Sequence, residues 1–169
     1  MKHSAFASVI GVTALIMSSL VWAGNTILCP DISQVRQVGE CPTEDDVERM
    51  FKISCGFERD SKAMKPELCD TYAEFKRRKY TALWESSDGE FMGYVKCAAP
   101  PAEIKMSKPS SVTVSQKNGL YKISCEYEGD IVFTLRTRGI CRLPGVKSAK
   151  SIMRANCGPD ASTCKVECD

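Results

Sequence analysis

The sequence predicts a disulfide-rich α+β fold: short N-terminal helices followed by an antiparallel sheet of hairpins. Three observations carry that reading. All ten cysteines, Cys29, Cys41, Cys55, Cys69, Cys97, Cys125, Cys141, Cys157, Cys164 and Cys168, follow an apolar leader. Apolar residues recur at helical spacing up to about Arg78. Beyond Tyr80 the period shortens toward two, with turn-forming clusters between the runs.

The leader opens on Met1-Lys2-His3-Ser4 and runs almost wholly apolar from Ala5 to Leu20. Val21-Trp22-Ala23 then sets small residues three and one before a scissile bond to Gly24, as signal peptidase requires. Residues 1–23 are expected to be a signal peptide and residues 24–169 a single stapled domain. An uncleaved anchor is the alternative, since the run is about as long as the shortest spanning helices. Thr26-Ile27-Leu28 before Cys29 lacks the small residues of a lipidation site. The expected product is periplasmic or secreted and has no stable membrane insertion. An even cysteine count in an oxidising space reads as up to five disulfides, whose connectivity cannot be deduced from spacing.

The 23 Lys and Arg against 21 Asp and Glu include Lys2, which is lost on export. Neutralising a phosphate backbone needs a surplus of cations on one face, and the near-neutral balance predicts no such field, so nucleic acid is not expected as a partner.

Cys29-Pro30 and Cys41-Pro42 each precede a valine five positions beyond the proline. Thr43 fits an N-cap with Glu44, Asp45 and Asp46 in the first turn, which predicts a helix from Glu44 to about Ile53 with Val47, Met50 and Phe51 on one face. A second helix is expected from Pro66 to about Arg78, carrying Leu68, Tyr72 and Phe75. Its basic end, Lys76-Arg77-Arg78-Lys79, is either a docking patch or a complement to the helix dipole. Tyr80 to Trp84 and Glu90 to Cys97 flank Ser86-Ser87-Asp88-Gly89 as a hairpin. Ala98-Ala99-Pro100-Pro101 reads as a linker or sheet crossing. Strands follow at Ser111 to Ser115, Leu120 to Tyr127 and Ile131 to Arg138. The Asn118-Gly119 pair marks the first of their turns, because the favoured two-residue turn needs positive φ at both positions. Tyr121, Ile123, Cys125 and Tyr127 share a face opposite Lys122, Ser124 and Glu126, so one side of this sheet is expected to form the core. From Pro144 onward a tail held by bridges is expected. Residues 52–60 and 122–130 match at six of nine positions, an echo read as coincidence rather than duplication.

The sole histidine, His3, leaves with the leader, which removes imidazole-based nucleophile pairs, zincin helices and c-type haem attachment from consideration. No Cys-x-x-Cys occurs, so a thioredoxin-like dithiol is missing. Cys157, Cys164 and Cys168 are expected to pair rather than to hold zinc. Ser162-Thr163-Cys164-Lys165 has the Ser-x-x-Lys spacing without companion motifs and reads as chance. No cofactor is expected. Glu85, Asp88 and Glu90 beside Trp84 leave a small glycan-acting site open, because paired carboxylates need neither histidine nor metal. Tyr80, Trp84, Phe91 and Tyr94 are candidates for a protein contact or, alternatively, for the core.

Cys29-Pro30-Asp31-Ile32-Ser33-Gln34-Val35, the segment around Trp84, and Gly119-Leu120-Tyr121-Lys122-Ile123-Ser124-Cys125-Glu126-Tyr127 together resemble the small periplasmic EirA-like proteins of intracellular bacterial pathogens. The resemblance covers about a quarter of the mature chain. It implies an accessory factor for effector translocation by a type IV secretion system, which fits the absence of catalytic groups, with envelope or secretion-system proteins as partners; exposed sheet edges add self-association as a further option. It supplies no catalytic residue. The competing readings are an inhibitor of a lysozyme-type hydrolase, with the Ser86 to Gly89 turn as the plug, and the glycan-acting enzyme.

Overall fold

A computed structural model of the chain describes residues 25–56, 69–146, 152–158 and 160–169. The proposed signal peptide therefore lies outside the described residues. Among the described residues the architecture is α+β, with two antiparallel sheets, three helices and five disulfides.

Strand β1 (Asn25–Leu28) enters the fold and a short 3-10 turn at Ile32–Gln34 leads to the two-residue strand β2 (Arg36–Gln37). Helix α1 (Glu44–Gly56) begins where its cap was expected: the Asp46 amide donates to Thr43 Oγ1, and the Thr43 amide donates to Asp46 Oδ2. Two otherwise unpaired amides are satisfied reciprocally, so the start is fixed within one turn.

Helix α2 (Tyr72–Lys79) differs from the expected Pro66 start. Pro66 lies outside the described residues, and the helix is opened by Thr71, whose hydroxyl accepts from the Glu74 amide. Phe51 of α1 meets Phe75 and Tyr72 of α2 edge-on, with ring centroids 5.3 and 5.5 Å apart. The Cys55–Cys69 bridge closes this pair from its far side, and Val47, Cys69 and Phe75 form its buried interior.

The first hairpin is β3 (Thr81–Glu85) and β4 (Met92–Lys96), as expected. The proline cluster is more than a linker, because Pro101 starts helix α3 (Pro101–Met106). The first helical position needs no amide donor and suits the fixed φ of proline, which is why the same residues that stop one element begin another. Ile104 of α3 is buried beside the 3-10 turn that carries Ile32.

Strands β5 (Pro109–Lys117), β6 (Leu120–Tyr127) and β7 (Ile131–Thr137) form the expected meander. Asn118 and Gly119 take φ of 52° and 75° at its first turn. The tail contributes more than tethers. After β8 (Cys141–Arg142), β9 (Ile152–Asn156) pairs along β5, and β10 (Lys165–Cys168) lies between β1 and β8. Met153 and Val166 enter the core from these two strands.

The larger sheet thus has the order β2-β3-β4-β7-β6-β5-β9, and the smaller β1-β10-β8. One cluster of buried side chains draws on both, including Trp84, Val112, Ile123, Phe133, Cys141 and Val166. Gly93 permits the join between β4 and β7, since a Cβ there would collide with the Val132 carbonyl oxygen. The echo between residues 52–60 and 122–130 has no common structure where both are described: residues 52–56 are helical and 122–126 are strand. Its remainder, 57–60, lies outside the described residues.

The bridges join Cys29 to Cys125, Cys41 to Cys97, Cys55 to Cys69, Cys141 to Cys168 and Cys157 to Cys164. Cys29 and Cys125 are 96 positions apart, whereas Cys157 and Cys164 are 7 apart. The chain-entropy relation assigns about 4.7 kcal/mol to a loop near the first length and about 2.5 kcal/mol to one near the second. Denaturant unfolding is expected to show C29A/C125A losing about 2 kcal/mol more than C157A/C164A. Equal losses would contradict the constraint assigned to the long bridge.

Candidate functional site

Two faces of the seven-stranded sheet divide its residues by strand parity. Ala82, Trp84, Val95, Val112, Ile123 and Phe133 point to the core. The opposite face carries Leu83, Met92, Tyr94, Glu126, Ser111, Thr113 and Arg154, and no element among the described residues covers Tyr94, which is 71% exposed.

The aromatic candidates therefore separate. Trp84 and Phe91 are 4% and 2% exposed and fill the core, Tyr80 is half-buried at the end of α2, and Tyr94 stands at the surface. The hairpin register explains the division. Trp84 sits opposite Gly93, while Leu83 sits opposite Tyr94 and Glu85 opposite Met92, so alternate pairs face opposite sides. Met92, 47% exposed, and Tyr94 make an apolar strip on a strand paired on both sides.

Beside this strip the face is polar. Glu126 on β6 accepts from Ser111 Oγ at 3.0 Å, from Thr113 Oγ1 at 3.4 Å and from Arg154 at 2.7 Å. One carboxylate thereby ties β5, β6 and β9 together on their open side. At the β5–β6 turn the face ends in a cationic groove with Lys117, Lys122, Arg136 and Arg138 in its wall. In the sequence Lys122 reads as a polar-side residue of its strand with nothing to bring it beside Arg136; the strand pairing sets the two opposite one another.

Of the three carboxylates considered for glycan chemistry, two are engaged by structural partners and the third is exposed. Glu85 accepts from Arg36 Nε at 2.9 Å across β2 and β3. Asp88 accepts from the Ser86 hydroxyl and from the Glu90 amide inside its own turn. Those two hydrogen bonds hold its carboxyl below the usual carboxylate range, so Asp88 is ionised at neutral pH rather than poised as an acid. Glu90 is exposed at the tip. The same turn was the candidate inhibitory plug; Ser86 is buried within it and receives the Phe91 amide at 3.0 Å.

Ser162 lies in a 3-10 turn at Ala161–Thr163, next to Cys164, which is buried and bonded to Cys157. The three cysteines weighed for zinc are all committed to bridges. Among the described residues no cluster of His, Cys, Asp and Glu could hold a metal ion, and no helix is long and apolar enough to cross a membrane.

The basic end of α2 is largely occupied internally. Lys76 pairs with Glu44 of α1, and Arg77 and Arg78 both bond Glu74. Those two guanidinium groups push the Glu74 carboxyl down to about 2 from 4.5. A carboxyl depressed by folding contributes stability above its unfolded value and loses it as pH falls. The α2 contribution is thus expected to fade between about pH 4.5 and pH 2, and the acid unfolding curve of Glu74→Gln is expected to lack that component.

No protein-family model matches the chain, and no curated protein and no solved structure shows significant similarity to it.

The division of the aromatic residues is open to direct measurement. Trp84→Ala is expected to cost about 3–5 kcal/mol in denaturant unfolding, as for other buried large aromatics. Tyr94→Ala is expected to stay within about 0.5 kcal/mol of the parent. Comparable losses at both positions would contradict the separation into core and surface.

Proposed function

We propose that the chain is a non-enzymatic accessory or assembly factor of the bacterial envelope, exported by a cleaved signal peptide and working in the periplasm against a protein partner. The observation that carries the reading is the bare strip of Met92 and Tyr94 on a sheet whose other face packs on the core. Tyrosine offers large contact area with few rotamers to freeze, which is why it recurs at energetic centres of interfaces. A backbone held by β-pairing presents it at low ordering cost.

Three further facts support the reading. Five bridges suit a domain that must persist in an oxidising, protease-exposed space. The segment after the proposed cleavage site contains no histidine. Glu85 and Asp88 are each engaged by strand or turn partners. The assignment to a type IV secretion apparatus rests on the resemblance to EirA-like proteins alone, and it names the first partners to seek.

The test uses a photoreactive residue at position 94 in the tagged protein, cross-linked in the envelope of its own organism, with position 105 on the exposed side of α3 as control. Secretion-machine subunits captured from position 94 and lost from position 105 are the expected result. Capture of a hydrolase together with inhibition of its activity would replace this reading with the inhibitor, and cross-links confined to the chain itself would replace it with self-assembly.

A further inference from the structure

The cationic groove at the β5–β6 turn carries an inference that does not use Tyr94. It has a volume of about 760 Å³ and is walled by Ser115, Lys117, Leu120, Lys122, Arg136 and Arg138. Its four cations come from three neighbouring strands or their ends, and no acidic side chain lines it. Among the described residues none of the four takes part in an ion pair, whereas Arg36, Arg77, Arg78, Arg142 and Arg154 all do.

The register makes this arrangement unfavourable in the free protein. Lys122 lies directly opposite Arg136, and like charges facing each other across an antiparallel pair destabilise it. Ser115 opposes Lys122 on the other flank and supplies a hydroxyl instead of a compensating carboxylate. Further along the same sheet Arg154 has its carboxylate in Glu126, so the fold does neutralise arginine on this face elsewhere.

Leu120 adds the second feature. It stands 40% exposed at the start of β6, opposite Lys117 and immediately after the Asn118-Gly119 turn. A hairpin tip with a bare leucine among cations suits a surface that is anionic outside and apolar beneath. A freely soluble anion would gain from the cations alone.

We infer that this groove seats the phosphate-bearing headgroup of an anionic phospholipid, with Leu120 against the adjoining acyl region and the chain bound peripherally. The guanidinium groups of Arg136 and Arg138 supply forked donors suited to phosphate oxygens, and Lys117 and Lys122 supply point charges beside them. The volume lies in the range of small-ligand sites, larger than a lone phosphate requires. The overall charge of the chain is nearly balanced, so attraction to the bilayer depends on this local concentration and orients the protein with its β5–β6 turn toward the membrane.

The experiment is sedimentation of the purified, disulfide-bonded chain with vesicles of phosphatidylcholine alone and of phosphatidylcholine containing phosphatidylglycerol. Binding to the second and not the first, weakening as salt rises, is expected. K122S/R136S is expected to bind about thirtyfold more weakly, from two surface charges lost, with melting temperature unchanged or raised because the opposed like charges are gone. The exposed pair K79S/K105S, which removes two cations outside the groove, is expected to bind like the parent. Equal binding of both vesicle types, an unaffected K122S/R136S, or an equal loss in K79S/K105S would overturn the groove as the site. Full displacement by soluble glycerophosphate, or preference for an acidic polypeptide over the vesicles, would overturn the lipid as its occupant.

Discussion

Cys29 is the point from which the two sheets are held in one body. Its sulfur bonds Cys125 in the second half of β6, and its amide donates to the Cys164 carbonyl at 2.9 Å. Cys164 is in turn bonded to Cys157, just past the end of β9 on the larger sheet. Next to Cys29, the Pro30 carbonyl accepts from the Tyr127 hydroxyl on β6. Burial keeps that phenol protonated, pushing its pKa up, so the bond persists across the physiological range. A four-residue first strand would bury too little to remain docked unaided, and the covalent link fixes it against β10 and beneath β6.

From that constraint follows the asymmetry of the larger sheet. The smaller sheet and α3 with its neighbouring 3-10 turn supply the buried cluster on one face. The helical pair sits apart from this cluster with its own small interior, attached through Cys41–Cys97 at the end of β4 and through the chain at Tyr80. The opposite face carries Met92 and Tyr94 at one part and, at another, the four cations of the groove, which have no ion-pair partner among the described residues. The open face thus offers two chemically different surfaces on one sheet. On the proposed reading the apolar strip would meet a protein assembly and the groove a bilayer.

The meander was legible in the sequence because each signal was local. Tyr121, Ile123, Cys125 and Tyr127 alternate with polar residues, and Asn118-Gly119 marks its turn. Thr43 with Asp46 likewise announced α1. The start of α2 was missed because Pro66 is permissive at a helix start, while Thr71 makes the hydrogen bond that determines it. Helix α3 was missed because two prolines read as interruption when the second in fact begins a helix. Strands β9 and β10, of five and four residues, carry too short a pattern to declare themselves and gain their identity from partners about 40 and 140 positions away along the chain. Disulfide pairing is non-local in the same way. The site was partly legible: the aromatic cluster was found, but its division into Trp84 inside and Tyr94 outside required the hairpin register, and the cationic groove required the pairing of three strands.

The most direct measurement is disulfide mapping of the exported native protein by proteolysis without reduction, followed by mass spectrometry of the linked peptides. The account predicts one linkage joining Cys29 to Cys125 and another joining Cys157 to Cys164, with no free thiol. Cys29 found linked to any other cysteine, or recovered as a thiol, would contradict it, because the two sheets would then lack the tie on which the buried and open faces depend.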